Sequence, residues 1–252
     1  MSNLDFTRLV AELYPAVLDA GFVEMQHFVS DFAIETKADK SPVTVADREA
    51  EAIVVAALQR IVPEIPVVAE EAVAAGVVPA VARQYFLVDA LDGTRLFVAK
   101  KPEFSLNIGL VRDGFPIFGL IYVPPTGALY LAQEGQASIS AVAPCEPEKR
   151  VSFEQLRFAR LQTREPDLAR LKAYNSRSAG AAGRALLEAL HVVEAVPMGS
   201  SLKFCLIAAG EGDLYARLGE TSEWDTAAGQ AILEGAGGSV TMLGGQRLHY
   251  GK

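Results

Sequence analysis

The apolar run Tyr85-Phe86-Leu87-Val88 is followed at once by Asp89-Ala90-Leu91-Asp92-Gly93-Thr94, and no other stretch constrains the fold as much. The four apolar residues predict a buried strand that stops at a carboxylate, and Arg95 to Lys100 resume residues that suit a helix. The result is a strand, a tight loop and a helix. Asp89 and Asp92 are three residues apart, so a turn can bring both carboxylates to one side. Gly93 permits a backbone conformation closed to residues with a side chain, and the N–H groups around Gly93 and Thr94 would point at whatever precedes the helix. Carboxylates beside exposed N–H groups suit a metal ion that holds a phosphate. Asp, Gly and Thr are also ordinary turn residues, so this reading depends on finding further acids elsewhere in the chain.

Upstream, Phe6, Leu9, Val10, Leu13, Val17 and Leu18 fall at helical spacing between Asp5 and Val29, with Pro15 expected to kink or split the helix. The polar stretch 35–42 predicts an exposed loop or hairpin tip long enough to reach over a site. Thr44 precedes an amphipathic helix with Ala50, Ile53, Val54, Ala57, Leu58 and Ile61 on one face, ended by Pro63. Asp47, three residues after Thr44, fits a capping box and also a catalytic role, and both remain open. Ile65 to Ala69 reads as a short strand ending in Glu70-Glu71, a pair that taken alone would be solvated surface. Residues 72–83 resolve into no element. After the central loop, Phe104 to Val111 alternates as a strand, Arg112-Asp113-Gly114 marks a hairpin turn, and Phe118–Val123 and Leu129–Ala132 continue an antiparallel meander.

The pattern weakens between 138 and 170, where prolines stand at 144, 147 and 166. This predicts an N-terminal α+β subdomain over 1–140 and a C-terminal α/β subdomain over 141–252. In the second half, strands at Leu171–Tyr174, His191–Val196 and Asp213–Arg217 alternate with helices at Ala181–Leu190 and Lys203–Ala209. A further helix fits 223–234 with Asp225 as its N-cap, followed by a strand at Ser239–Met242. Gly235-Ala236-Gly237-Gly238 leaves a helix and enters a strand, the reverse of a dinucleotide-binding loop, and reads as a helix C-cap.

Half of the 252 residues are hydrophobic, enough for a substantial core. The formal net charge of -8 disfavours non-specific binding to nucleic-acid polymers and to anionic membrane. Cys145 and Cys205 form no pairing motif, which argues for a reducing compartment without disulfides or structural zinc. There is no signal-peptide pattern, and no apolar run approaches the ~20 residues of a membrane span. The expectation is a cytoplasmic protein with no transmembrane segment, free or peripherally attached to the inner membrane.

Asp47, Glu70-Glu71, Asp89 with Asp92, and Asp225 each lie at the edge of an element. Two carboxylates ~4 Å apart repel by about 4 kcal/mol at an effective dielectric near 20, so a cluster of them requires cations. A donor set of oxygens without His or Cys points to Mg²⁺, with Mn²⁺ an alternative. His27, His191 and His249 stand isolated.

Glu70-Glu71, Asp89-Ala90-Leu91-Asp92-Gly93-Thr94 and Trp224-Asp225-Thr226-Ala227-Ala228-Gly229, in this order and spacing, resemble the signatures of the inositol monophosphatase superfamily of metal-dependent, lithium-sensitive phosphatases. Residues 37–44, Glu103 to Ile108 and Gly199-Ser200-Ser201-Leu202-Lys203-Phe204-Cys205 are most similar to its bacterial 3'(2'),5'-bisphosphate nucleotidase branch. The resemblance implies an α+β fold, a layered αβαβα sandwich, and two or three Mg²⁺ ions. Glu70, Asp89 and the Leu91 carbonyl would hold one ion, and Asp89, Asp92 and Asp225 a second. Leu91, Asp92, Gly93, Thr94 and Asp225 would line the phosphate. Thr94, linked to Asp47, would position a water beside Glu70. Ser200, Ser201 and Lys203 would lie near the nucleotide, with Lys203 offering charge to a second phosphate.

The implied activity is hydrolysis of the 3'-phosphate of adenosine 3',5'-bisphosphate, a small-molecule phosphate ester formed in sulfur metabolism, and of 3'-phosphoadenosine 5'-phosphosulfate. The alternatives are an inositol or sugar monophosphatase with the same metals and a non-catalytic nucleotide sensor. The chain departs from the family pattern at Ala90, where proline is usual, at Ala179, where the nucleotidases often have histidine, and in ending soon after Tyr250.

Overall fold

The computed structural model describes residues 4–30, 34–36, 42–80, 82–177 and 180–251. Residues 37–41, part of the stretch expected to be a loop or hairpin tip, and Ala179 lie outside them. Helix α1 (Phe6–Val29) runs through Pro15 without dividing. Pro15 is exposed while Leu13, Tyr14, Val17 and Leu18 are buried. The carbonyl that the ring leaves unpaired is therefore on the water side, and the apolar stripe holds both halves of the helix to one surface.

A hairpin of β1 (Ile34–Thr36) and β2 (Pro42–Thr44) leads into α2 (Val45–Ile61). Next come β3 (Val67–Ala69), the short helix α3 (Glu70–Ala74), β4 (Gln84–Asp92) and α4 (Thr94–Val98). The meander then runs through β5 (Ser105–Arg112), β6 (Phe115–Val123), β7 (Ala128–Gln133), β8 (Ile139–Val142) and β9 (Ala159–Arg160). Strands β3 to β9 form one seven-stranded sheet in sequence order, with β3 parallel to β4 and the other neighbours antiparallel. At the β5–β6 turn Asp113 and Gly114 both have positive φ, which matches the twist of the two strands.

The second half contributes β10 (Lys172–Asn175), α5 (Ala181–Ala189), β11 (Glu194–Pro197), α6 (Leu202–Ala208), β12 (Leu214–Tyr215) and α7 (Ala227–Gly235). Its three strands form a parallel sheet with β10 in the centre. The strand expected at Ser239–Met242 is reduced to a single bridge between Thr241 and Arg247. Around the Gly244-Gly245 turn the Met242 N–H donates to the Gln246 carbonyl and the Leu248 N–H to the Val240 carbonyl, so the segment bonds back on itself without a continuous strand.

The strand residues alternate between two cores. Phe86, Val88, Ile108, Leu110 and Leu120 pack with Leu13, Val17, Val54 and Leu58 of α1 and α2. On the opposite face, Ile121 and Val123 meet Phe204 and Cys205 of α6 and Ala228 and Ile232 of α7, a cluster that also takes in Tyr174 of β10. The layers are thus a helix pair, the large sheet, a second helix pair and the small sheet, and α5 crosses between parallel β10 and β11. This is the layered αβαβα arrangement expected from the sequence.

The second helix pair sits unusually close to the large sheet. Gly109 and Gly119 pair across β5 and β6. A Cβ at Gly109 would lie 2.8 Å from the Cβ of Ala227, and one at Gly119 would collide with the Ala228 carbonyl oxygen. Two glycines on the sheet and alanines on the helix let the start of α7 rest on the strands, which fixes the residues just before it. Glu24 contrasts with this close packing. It is fully buried on α1, and neither carboxylate oxygen has a hydrogen-bond partner among the described residues. Burial, and then the charge of Asp47, push its carboxyl well above the usual range.

Gly119→Val should lower stability by about 1–3 kcal/mol through overpacking against α7. Thermal unfolding would show it as a fall of several degrees, whereas Gly180→Ala, which meets nothing within 4 Å, should change little. Glu24→Leu should raise the melting temperature, and more so at higher pH. Unfolded Glu24 ionises from about pH 4.3 while the folded group stays protonated, so the parent loses stability as pH rises through that window. The gap between variant and parent should widen by up to about 3 °C per pH unit above pH 5 in paired melts, and a constant gap would refute it.

Candidate active site

The acids come together at one end of the large sheet. Glu70 opens α3, Asp89 and Asp92 lie at the end of β4, Asp225 precedes α7, and Asp47 is in the first turn of α2. The apolar run of β4 does not stop at Asp89 as expected. The strand continues to Asp92, because Asp89 pairs with Asn107 and Asp92 with Ser105 on β5, with a register shift between the two pairs. The shift is a bulge, a common way to re-aim side chains at the rim of a sheet.

Glu70, Asp89 and Asp225 each present an oxygen within 4.8 Å of the others. Asp89 is almost wholly buried, and one of its oxygens accepts the Leu91 N–H at 3.0 Å. Burial, and then the charges of Glu70, Asp92, Asp225 and Asp47, drive its carboxyl far above the normal carboxylate range. Asp225 is pushed up to about 7, first by burial and then by Asp92, against the pull of hydrogen bonds from Thr221 and Ser222. Asp225 is not the N-cap of α7. Thr226 takes that position, and the Asp225 carboxylate instead bonds the turn before it.

Asp47 uses both oxygens. Oδ2 accepts from the Thr44 N–H at 2.8 Å and from the Thr44 hydroxyl at 2.6 Å, while Oδ1 accepts the Thr94 hydroxyl at 2.9 Å. The capping box therefore forms, and the same carboxylate reaches the loop after β4. Gly93 has φ +104°, and a Cβ there would lie 2.9 Å from the Glu103 carbonyl, so any other residue would be both strained and crowded. Thr94 begins α4, and its hydroxyl also lies 3.2 Å from the Leu91 carbonyl. The Leu91 side chain is buried with Phe97 and Phe104, which pins the carbonyl in place.

Asp92 turns towards the second half. Its Oδ2 accepts from the Ser201 hydroxyl at 2.7 Å and from Asn107 at 3.3 Å, and Ser201 Oγ is also 2.6 Å from the Asp225 carbonyl. Ser201 thus joins β4 to the segment before α7. Ser200 has φ +49°, and its carbonyl accepts the Lys203 ammonium at 2.5 Å. Lys203 is buried, its pKa lowered to about 8 by desolvation, with Nζ 4.9 Å from the Tyr215 ring centroid. Its charge is directed at the loop that carries Ser200 and Ser201.

Two contributors escaped the sequence reading. Asn107 is fully buried, donates to Ser201 at 2.9 Å, and accepts from Ser105 at 3.1 Å. The available signal was period two: Ser105 and Asn107 are the polar positions on one face of β5. Glu103 accepts Gly199 N–H at 2.9 Å and pairs with the Arg177 guanidinium, which ties the loop after α4 to the loop before α6. Nothing local to Glu103 signals this partner.

All the converging donors are oxygens, and the buried, mutually repelling carboxylates need positive charge to ionise together. The residues therefore fit a hard divalent cation, with Glu70, Asp89 and Asp225 able to share it. Among the described residues no helix is long and apolar enough to cross a membrane.

Comparison with known proteins gives the family of the chain. The chain is 39% identical over 221 residues to 3'(2'),5'-bisphosphate nucleotidase CysQ of Escherichia coli K12, covering 86% of this chain and 82% of that protein. It is 34% identical over 260 residues to the CysQ of Buchnera aphidicola, covering 99% and 93%. The crystal structure of CysQ from Bacteroides thetaiotaomicron, a bacterial member of the inositol monophosphatase family, superposes with a TM-score of 0.73 at 32% identity over 93% of this chain and 89% of that one. An IMPase structure from Thermotoga maritima shares the fold, with a TM-score of 0.78 at 23% identity over 97% and 88% of the two chains. The sequence profile of the inositol monophosphatase family matches residues 5–252, the span that carries every acid of the site, and the chain belongs to that family.

Proposed function

We propose that this chain is a Mg²⁺-dependent phosphatase that removes the 3'-phosphate of adenosine 3',5'-bisphosphate, giving AMP and phosphate, and that it does so in the cytoplasm. The convergence of Glu70, Asp89 and Asp225 beside the Asp47–Thr94 pair carries this reading. The CysQ relatives support the choice of substrate.

In this reading, Glu70, Asp89 and the Leu91 carbonyl would hold one Mg²⁺, and Asp89, Asp92 and Asp225 a second, with a third ion or Mn²⁺ also compatible. Bound there, the ions would lower the pKa of a water and neutralise charge on the entering and leaving oxygens. The chain's own groups do the rest. Thr94 donates its hydroxyl proton to Asp47, which is held by two donors from Thr44 and stays an acceptor. The Thr94 oxygen is thereby turned so that a lone pair can receive a proton of the attacking water, with Glu70 on the water's other side. Backbone N–H groups of Gly93 and Thr94 receive the phosphate oxygens, and Gly93 permits the approach because it has no side chain. Ser200 and Ser201 line the nucleotide side, and Lys203 places positive charge behind them, within reach of the field of a second phosphate. Their link to Asp92 makes the position of the nucleotide depend on the metal end of the site.

Phosphate release should be faster from adenosine 3',5'-bisphosphate than from inositol 1-phosphate by at least about 100-fold in kcat/KM, well within the discrimination open to a site that hydrogen-bonds its substrate. A preference for the inositol ester would make the chain an inositol phosphatase instead. Asp47→Asn and Thr94→Val should each lower kcat by about 10²–10³, as expected for loss of a proton-handling pair. Because the two act as one unit, the double variant should be no slower than the worse single variant. Multiplicative losses in single-turnover measurements would show that they act separately.

A further inference from the structure

Asp47 and Glu51 stand one turn apart on the buried face of α2. Asp47 reaches Thr94, and Glu51 reaches the opposite arm of the site. One Glu51 oxygen accepts the Glu71 N–H at 2.7 Å and the other accepts the Ala72 N–H at 2.8 Å. These are the second and third residues of α3, and the first is Glu70. The N-cap of α3 is Ala69, which has no side chain that could cap it. A helix of this length is not stable alone, because nucleation costs more than one turn of hydrogen bonds returns.

We infer that Glu51 is a positioning residue of the metal centre: by binding the Glu71 and Ala72 N–H groups of α3 it fixes that helix and so aims Glu70 at Asp89 and Asp225. The inference rests on the reading of this site as a metal site. Three points carry it. Glu51 is itself only 6% exposed, so its carboxylate is confined to this contact region. Bonds from N–H groups to a carboxylate are charge-assisted and stronger than neutral ones. Glu70 must also be held close to Asp89 and Asp225 against their repulsion, and a flexible turn would relax outward. Helix α2, anchored in the core by Ala50, Val54 and Leu58, therefore sets both arms of the site: the Thr94 loop through Asp47 and the Glu70 helix through Glu51.

The test is direct titration of Mn²⁺ into metal-free protein, followed by calorimetry and electron paramagnetic resonance, alongside the Mg²⁺ dependence of turnover. Glu51→Gln, which keeps one acceptor and the side-chain volume, and Glu51→Ala should both weaken Mn²⁺ binding by about 10–100-fold, the usual effect of losing a partner that orients a ligand. Half-maximal activity should need correspondingly more Mg²⁺, while KM for the nucleotide at saturating metal stays near that of the parent. Glu49→Gln, on the same helix but bonded to His27, should leave Mn²⁺ affinity unchanged. A folded Glu51→Gln variant that binds Mn²⁺ as tightly as the parent would overturn the inference, even if its melting temperature falls. A parent that binds no Mn²⁺ would instead overturn the metal reading itself, so the two failures are distinguishable.

Discussion

The structure depends on holding like charges together. Glu70, Asp89 and Asp225 come from a short helix, a strand end and the approach to another helix, and their oxygens meet within 4.8 Å. At such a distance two carboxylates repel by about 3–4 kcal/mol at an effective dielectric near 20. Burial makes matters worse for Asp89, whose carboxyl is held far above its normal range. No chain gathers such groups by local preference, so every neighbouring element can be understood by how it resists their separation.

Three restraints act on three parts of the cluster. Beneath Asp225, the Gly109–Gly119 pair lets Ala227 and Ala228 settle directly on the sheet, so α7 cannot drift outward. Beside Asp89, the bulge of β4 and the bond from Leu91 N–H aim the carboxylate, while Leu91 itself is locked among aromatic rings. Across from both, α2 extends Asp47 and Glu51 from consecutive turns to the two remaining arms. The first of these is packing alone, while the other two combine packing with hydrogen bonds that carboxylates accept. Together they hold the acids from three separate elements against their mutual repulsion.

The two halves of the chain are joined through polar groups at the same place. Ser201 contacts Asp92 and the Asp225 carbonyl, Asn107 steadies Ser201, and Glu103 links Arg177 and Gly199 to the loop after α4. Such a network is costly when incomplete, since each buried group needs its partner. Its consequence is mechanical: the segment with Ser200, Ser201 and Lys203 cannot shift without disturbing Asp92. The segment before α6 and the acids are thus physically coupled, although they reside in different parts of the sequence.

Much of this was legible in the order of residues. Periodicity marked α1, α2, β5 and β6, because a residue's choice of buried face is a local matter. The Asp89 to Thr94 motif marked the passage from β4 to α4, because a carboxylate pair, a glycine and a threonine need only a few residues to define it. Other features were not legible. Pro15 signals a break, yet the surrounding core keeps α1 in one piece. Asp225 has the look of an N-cap, yet Thr226 takes that position and leaves Asp225 to the turn before it. Glu51 reads as one more polar residue on a helix until its partners, 20 and 21 positions away, are seen. The sequence by itself determined most of the elements and singled out the acids, since propensity, periodicity and side-chain type act within a few residues. Only the tertiary structure decided which acids come within reach of one another, which distant backbone groups they bond and how closely the helices approach the sheet, because repulsion, close packing and hydrogen bonding depend on distances between residues far apart in the chain.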